Sequence, residues 1–156
     1  MSRLSLAAVL GFAAAALLAL GTGRAQESRS QPKAHDHAQH FLDCAKACDD
    51  CARICEACGS HCTRLVADGK KEHLETVRTC HDCATVCAAA SAITARTGPY
   101  SDAICQACAD VCKRCGDACE KQATDPMMKQ CAAECRKCEK ACRDMLAHAR
   151  PQPASR

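Results

Sequence analysis

A chain of 156 residues with 18 cysteines, one Tyr, no Trp and two Phe has almost no rings to stack on bases. A net charge of +3 supplies no basic face to follow a phosphate backbone, so nucleic acid is excluded as a partner. The length suits one domain, and the unusual ingredient is sulfur.

The chain opens with Arg3, the apolar run Leu4 to Leu20, and then GTGRA. A short basic start, an apolar segment and small residues at Gly23 and Ala25 read as a secretory signal peptide over residues 1–25. The run is at the lower limit for spanning a bilayer, so no membrane attachment is expected after cleavage. There is no Arg-Arg pair, which points to the general secretion route. The expected location is therefore periplasmic or extracellular, with residues 26–35 a disordered tail.

The cysteines come next, in four groups. Cys44, Cys48, Cys51, Cys55, Cys58 and Cys62 mark a helix over 36–67, closed by the turn Asp68-Gly69. Cys80, Cys83 and Cys87 mark a second over 70–96, ending before Thr97-Gly98-Pro99. Cys105, Cys108, Cys112, Cys115 and Cys119 mark a third over 101–122, with Ser101 as its N-cap. Cys131, Cys135, Cys138 and Cys142 mark a fourth over 126–149, where Thr124-Asp125-Pro126 supplies a cap and then Pro at the first helical position. Residues 150–156 form a second tail.

Within each group the intervals alternate between three and four, which is the seam that a helix turns toward its partners. The connections are short, so neighbours run antiparallel. The fold class is all-α: an antiparallel up-down-up-down four-helix bundle with a cysteine-lined core over 36–149. Asp49, Asp50, Arg53 and Glu56, and likewise Glu134, Arg136, Lys137, Glu139 and Lys140, fall on solvated faces.

Cysteine occupies the positions where a bundle ordinarily places Leu. Beyond Ala25 there are only fifteen Leu, Ile, Val, Phe and Met, and Ala45, Ala47, Ala57, Ala84 and Ala107 are read as padding around the thiols. Exchanging Leu for a thiol forfeits about 1 kcal/mol or more per site. Something is expected to fill that space in the working state.

Thiolates select Cu(I), zinc and iron–sulfur clusters. Side chains four apart on a helix have Cβ atoms about 5–6 Å apart. A linear sulfur–copper–sulfur unit needs sulfurs about 4.4 Å apart, by bonds slightly shorter than those to zinc. Eight pairs of this spacing occur: Cys44/Cys48, Cys51/Cys55, Cys58/Cys62, Cys83/Cys87, Cys108/Cys112, Cys115/Cys119, Cys131/Cys135 and Cys138/Cys142. Cys80 and Cys105 remain to join neighbours.

Charge narrows the choice. One Cu⁺ per thiolate leaves a dry core neutral, whereas zinc with four thiolates leaves about two negative charges per site and no inward Lys or Arg to offset them. The expected cargo is multiple Cu(I) ions, near one per cysteine. The spacings of ferredoxins and of c-type haem attachment are absent. No nucleophile–base pair stands out, and no enzyme is expected. Two alternatives stay open: a zinc or general thiophilic metal detoxification module, and a disulfide-stapled structural bundle, which an even cysteine count in an exported chain also permits.

The repeated Cys-x-x-x-Cys and Cys-x-x-Cys along four successive helices resembles the bacterial copper storage proteins over about residues 36–149. The resemblance implies Cu(I) held by the eighteen thiolates named above, assembly as a homotetramer, and a His- and Met-lined mouth where copper enters. In an up-down-up-down bundle the start of the first helix and the end of the fourth meet, which makes His37, His40, Met145 and His148 the candidate mouth. His61, His73, Met127 and Met128 gather at the opposite end. His81, beside Cys80, is either a ligand or solvent-facing.

Overall fold

The computed structural model describes residues 32–149, with side chains from 38 to 148. The expected leader over 1–25, the first part of the tail and residues 150–156 lie outside the described residues. Four helices carry the fold: α1 (Pro32–Ala67), α2 (Leu74–Ala95), α3 (Ser101–Glu120) and α4 (Pro126–Ala149), with a 3-10 turn at Lys71–His73. The described residues contain no strand. Each helix packs on two others, α1 on α2 and α4, and α3 on α2 and α4. None is long and apolar enough to cross a membrane.

Several boundaries move, each for a local reason. α1 begins at Pro32 and not at 36, taking in part of the expected tail. Proline at the first helical position loses nothing, because the N–H there has no partner in any case. At the other end Gly69 takes φ 91°, Gly69 N–H donates to Val66 O and Lys70 N–H donates to Leu65 O. That paired closure uses glycine's freedom in the left-handed region. It leaves Lys71–His73 as a tight turn, so α2 starts at Leu74 and not at 70. α2 ends at Ala95, and Thr97 repeats the closure with φ 49° while Gly98 N–H reaches Ile93 O.

Ser101 is not a side-chain cap. It is buried as the first residue of α3, and its hydroxyl donates to Gly98 O at 2.7 Å. α3 stops at Glu120 rather than 122. Asp125 is the cap of α4, with Oδ1 accepting from Met127 N at 2.8 Å and Met128 N at 3.2 Å.

The core follows the seam. All eighteen cysteines are at most 1% exposed, and Phe41, Met128 and Met145 are the large apolar side chains buried with them among the described residues. The alanines pack differently from the expectation: Ala57 and Ala107 face solvent and Ala47 is half-buried, while Ala52, Ala90, Ala109, Ala118 and Ala132 are inside. Several buried small residues directly follow a cysteine, as in Ala45, Ala52, Gly59, Ala84, Ala109, Gly116 and Ala132. These positions flank the seam, where a larger side chain would hold the helices apart.

Two partners fill the glycine positions. The ring of His81 lies over Gly59, where an added Cβ would stand 3.1 Å from Cε1. The guanidinium of Arg136 lies over Gly116, where a Cβ would stand 3.0 Å from Cζ. Arg136 then fastens α4 to α3: Nε donates to Glu120 Oε1 at 2.9 Å, Nη2 to Glu120 Oε2 at 2.7 Å, and Nη1 to Lys113 O at 3.0 Å. A forked pair of this kind is among the stronger surface contacts. Arg136→Ala is expected to destabilise the metal-free protein modestly, because it removes the fork together with the packing over Gly116. Thermal unfolding followed by circular dichroism reads this as a midpoint several degrees lower, and an unchanged midpoint would show the fork to be dispensable.

Candidate metal centre

Because every seam position points at the bundle axis, sulfurs from all four helices meet there. Neighbours within one helix are close at Cys51/Cys55 (3.8 Å), Cys83/Cys87 (3.9 Å) and Cys108/Cys112 (3.9 Å). Most contacts, however, cross between helices. Cys44 meets Cys105 at 3.6 Å and Cys142 at 3.7 Å, and Cys48 meets Cys108 at 3.8 Å and Cys142 at 3.6 Å. Cys55 meets Cys131 and Cys135, each at 3.7 Å, while Cys87 meets Cys112 at 3.4 Å. The reason is size: a thiol is short, so the helices close in until sulfurs touch across the axis.

The sulfurs gather into overlapping sets of four, each with all Sγ atoms within 4.8 Å of one another. From the α1 start toward its end they include Cys48/Cys108/Cys138/Cys142, Cys51/Cys83/Cys87/Cys112, Cys55/Cys115/Cys131/Cys135 and Cys58/Cys80/Cys119/Cys131. Contacts from one set to the next, such as Cys87 to Cys108 at 3.6 Å and Cys51 to Cys55 at 3.8 Å, make this one continuous column. All eighteen are free thiols, and the separations above are far beyond a sulfur–sulfur bond of about 2.05 Å, so the disulfide-stapled bundle is not the architecture described.

Electrostatics inside the column follow from burial without cations. Burial first, then the neighbouring Cys58 side chain and the Asp125 carboxylate, push the Cys62 thiol up to about 12. Elsewhere the thiols divide the work. Cys51 is drawn down by its hydrogen bonds with Cys112, Cys135 and others, and Cys115 by those with Cys119 and its neighbours. Their partners are held up: Cys55 chiefly by its bond to Cys115, and Cys142 by its bond to Cys105. A thiolate forms here only while the thiols around it keep their protons.

The two ends differ. At the α1 start the rings of His40 and His148 stack with centroids 3.7 Å apart and planes 9° from parallel. Met145 and Phe41 lie buried beneath, and Thr94 Oγ1 meets Cys105 Sγ at 3.3 Å. His37 belongs to α1, but its side chain is outside the described ones. At the opposite end His61 Nε2 meets Asp125 Oδ2 at 2.8 Å, which joins α1 to the cap of α4. Burial opposes ionisation of Asp125, yet the His61 bond and the two backbone N–H donors outweigh it and hold the carboxyl below its ordinary range. His81 is exposed, with Nδ1 3.3 Å from Glu56 Oε2, so it turns away from the column. His73 was grouped only by topology; it is buried in seam phase with Thr76 and Cys80, and its Nδ1 has no hydrogen-bond partner among the described residues.

The family model described as copper storage protein matches residues 16–147. The chain belongs to the copper storage protein family. Among solved structures, a cytosolic copper storage protein from Streptomyces lividans loaded with five coppers is 38% identical, with a TM-score of 0.64. That match covers 72% of this chain and 97% of the other. A Cu(I)-bound copper storage protein is 31% identical over 69% of this chain and 99% of its own, with TM-score 0.64. A protein from Nitrosospira multiformis is 30% identical over 70% and 96%, with TM-score 0.60. No curated protein matches the chain.

The expectation of export is corrected by this comparison. The Streptomyces lividans relative is described as cytosolic, and a basic residue followed by an apolar stretch and small residues is a generic pattern.

Proposed function

We propose that this protein stores Cu(I), with the thiolates of all eighteen cysteines, Cys44 through Cys142, as ligands. The observation that carries the reading is a column of fully buried thiols with no inward cation. Each Cu⁺ that enters as a thiolate complex releases one proton, so the interior stays neutral as it fills. Sulfur separations of 3.4–4.0 Å are shorter than a linear unit needs, and they suit copper bridged by thiolates shared between helices. The stacked His40 and His148 above buried Met145, with His37 on the same helix end, form the mouth; soft and imidazole donors there pass ions inward by ligand exchange. The role is sequestration rather than catalysis. Assembly as a homotetramer is carried from the family resemblance.

Zinc filling the column is the second reading, because four sulfurs at these separations also suit a tetrahedral ion. Repeated along the column, however, it would leave about two negative charges per ion in a core without cations. Anaerobic titration of the fully reduced protein with Cu(I), against a competing chromophoric chelator, decides between them. Saturation near eighteen equivalents is expected. Saturation at a few equivalents, or tighter uptake of about four zinc ions, would overturn the copper reading.

A further inference from the structure

One quartet is close to regular in the separations that join Cys48 and Cys108 to the rest. Cys48, Cys108, Cys138 and Cys142 come from three helices, and four of their six Sγ separations are 3.8 Å (Cys48/Cys108), 3.6 Å (Cys48/Cys142), 3.7 Å (Cys48/Cys138) and 3.8 Å (Cys108/Cys138). A regular tetrahedron of sulfurs around an ion with bonds of about 2.3 Å has edges of about 3.8 Å. The neighbouring quartet Cys51/Cys83/Cys87/Cys112 is less even, with separations of 3.9, 3.8, 3.9 and 3.4 Å. We propose that in the copper-free protein Cys48, Cys108, Cys138 and Cys142 form a preorganised tetrahedral site for one divalent zinc-group ion.

The charge that forbids a column of such ions does not forbid one. Binding replaces four thiol protons by a single dication, M²⁺ + 4 RSH → [M(SR)₄]²⁻ + 4 H⁺, and leaves a buried double negative charge. Around this quartet stand thiols that keep their protons when only one ion is bound. Cys44 Sγ donates to Cys142 at 3.7 Å, Cys87 lies 3.6 Å from Cys108 and 4.0 Å from Cys138, and Cys112 lies 3.9 Å from Cys108. Their S–H groups spread the charge of the complex by hydrogen bonding. A second ion in the next quartet would take Cys87 and Cys112 as thiolates and remove those donors. The site therefore takes one ion and keeps the adjoining quartet empty, and its occupancy ends when Cu(I) claims the same sulfurs. The inference rests on sulfur geometry and holds or falls apart from the copper reading.

Cadmium serves as the spectroscopic probe. Anaerobic titration of the reduced, metal-free protein with Cd²⁺ should develop the thiolate-to-cadmium charge-transfer band with a first, tightest step that reaches its endpoint at one equivalent. Four protons should be released per ion, and ¹¹³Cd should resonate in the four-thiolate range. Coupling of that resonance to cysteine β-protons should identify Cys48, Cys108, Cys138 and Cys142 in the unaltered protein. Cys142→Ser should abolish the one-equivalent endpoint, whereas Cys62→Ser, outside the quartet, should keep it. Later addition of Cu(I) should expel the cadmium. Several equivalents of equal affinity, couplings to other cysteines, or an endpoint that survives Cys142→Ser would overturn the proposal. With cadmium absent but eighteen Cu(I) taken up, this inference fails and storage stands; with one cadmium bound but few Cu(I), the reverse holds.

Discussion

Loading the bundle with Cu(I) should raise its thermal midpoint by twenty degrees or more, and this is the largest effect expected of the protein. The metal-free core is held mainly by thiols and alanines, with Phe41, Met128 and Met145 as the buried large apolar side chains among the described residues. Each buried thiol stabilises less than the Leu a bundle would ordinarily carry there. A ligand that binds only the folded state adds about 4 kcal/mol per site at a thousandfold excess over its dissociation constant. Two or three filled sites would exceed the roughly 5–15 kcal/mol by which ordinary domains are stable. In a chain of this size about 1 kcal/mol moves the midpoint by a few degrees, so the shift accumulates quickly. Circular dichroism of reduced protein, with and without bound copper, measures it. A midpoint indifferent to copper would mean that the thiols are packing alone.

The seam was legible because eighteen residues of one type keep a single phase over four segments, so helix number, pairing order and the inward face follow from counting. The same count reaches further than residue type suggests. Counting back from Cys80 by four and then three gives Thr76 and His73, both buried. Counting forward from Cys87 gives Ala90 and Thr94, also buried. Polar side chains hid that continuation, although the interval was in plain view. The interval also sorts His81 to the outside, one residue out of phase with Cys80. Which sulfurs touch was not legible. The meeting of Cys44 with Cys105, or of Cys55 with Cys115, joins diagonal helices and depends on how closely α1 packs on α2 and α3 on α4, where Gly59 under His81 and Gly116 under Arg136 lie. Helix ends were legible only where Gly or Pro stood. Thr97 takes a left-handed conformation that nothing in its residue type announces.

Between about pH 9 and 12 the metal-free protein should lose its fold, while the copper-loaded protein should keep it. Cys62 is raised from 9.0 to about 12, by burial first and then by the charge of Cys58. Cys105 also reaches about 12; Cys142 acts to lower it, but Cys44 and burial outweigh that bond. Cys55, Cys138 and Cys142 are likewise held above the ordinary thiol range by the neighbours to which they are bonded. In the unfolded chain these thiols ionise near 9, so above that pH the folded state holds more protons than the unfolded one. Stability must then fall as pH rises. The contribution is complete below pH 9 and is gone once pH passes the folded values near 12. Each retained proton costs about 1.4 kcal/mol per pH unit, so two or three would exhaust an ordinary domain's stability within a few units. Thiols drawn down in the fold, such as Cys51 and Cys115, do not reverse this, because each depends on neighbours that remain protonated. Copper removes the effect by replacing those protons. Ellipticity at 222 nm and thiolate absorbance near 240 nm, recorded together along an anaerobic alkaline titration, should change in one step for the metal-free protein. Thiolate formation completed near pH 9 with the helices intact would show that the column admits charge freely, and the neutrality on which one copper per cysteine rests would fall with it.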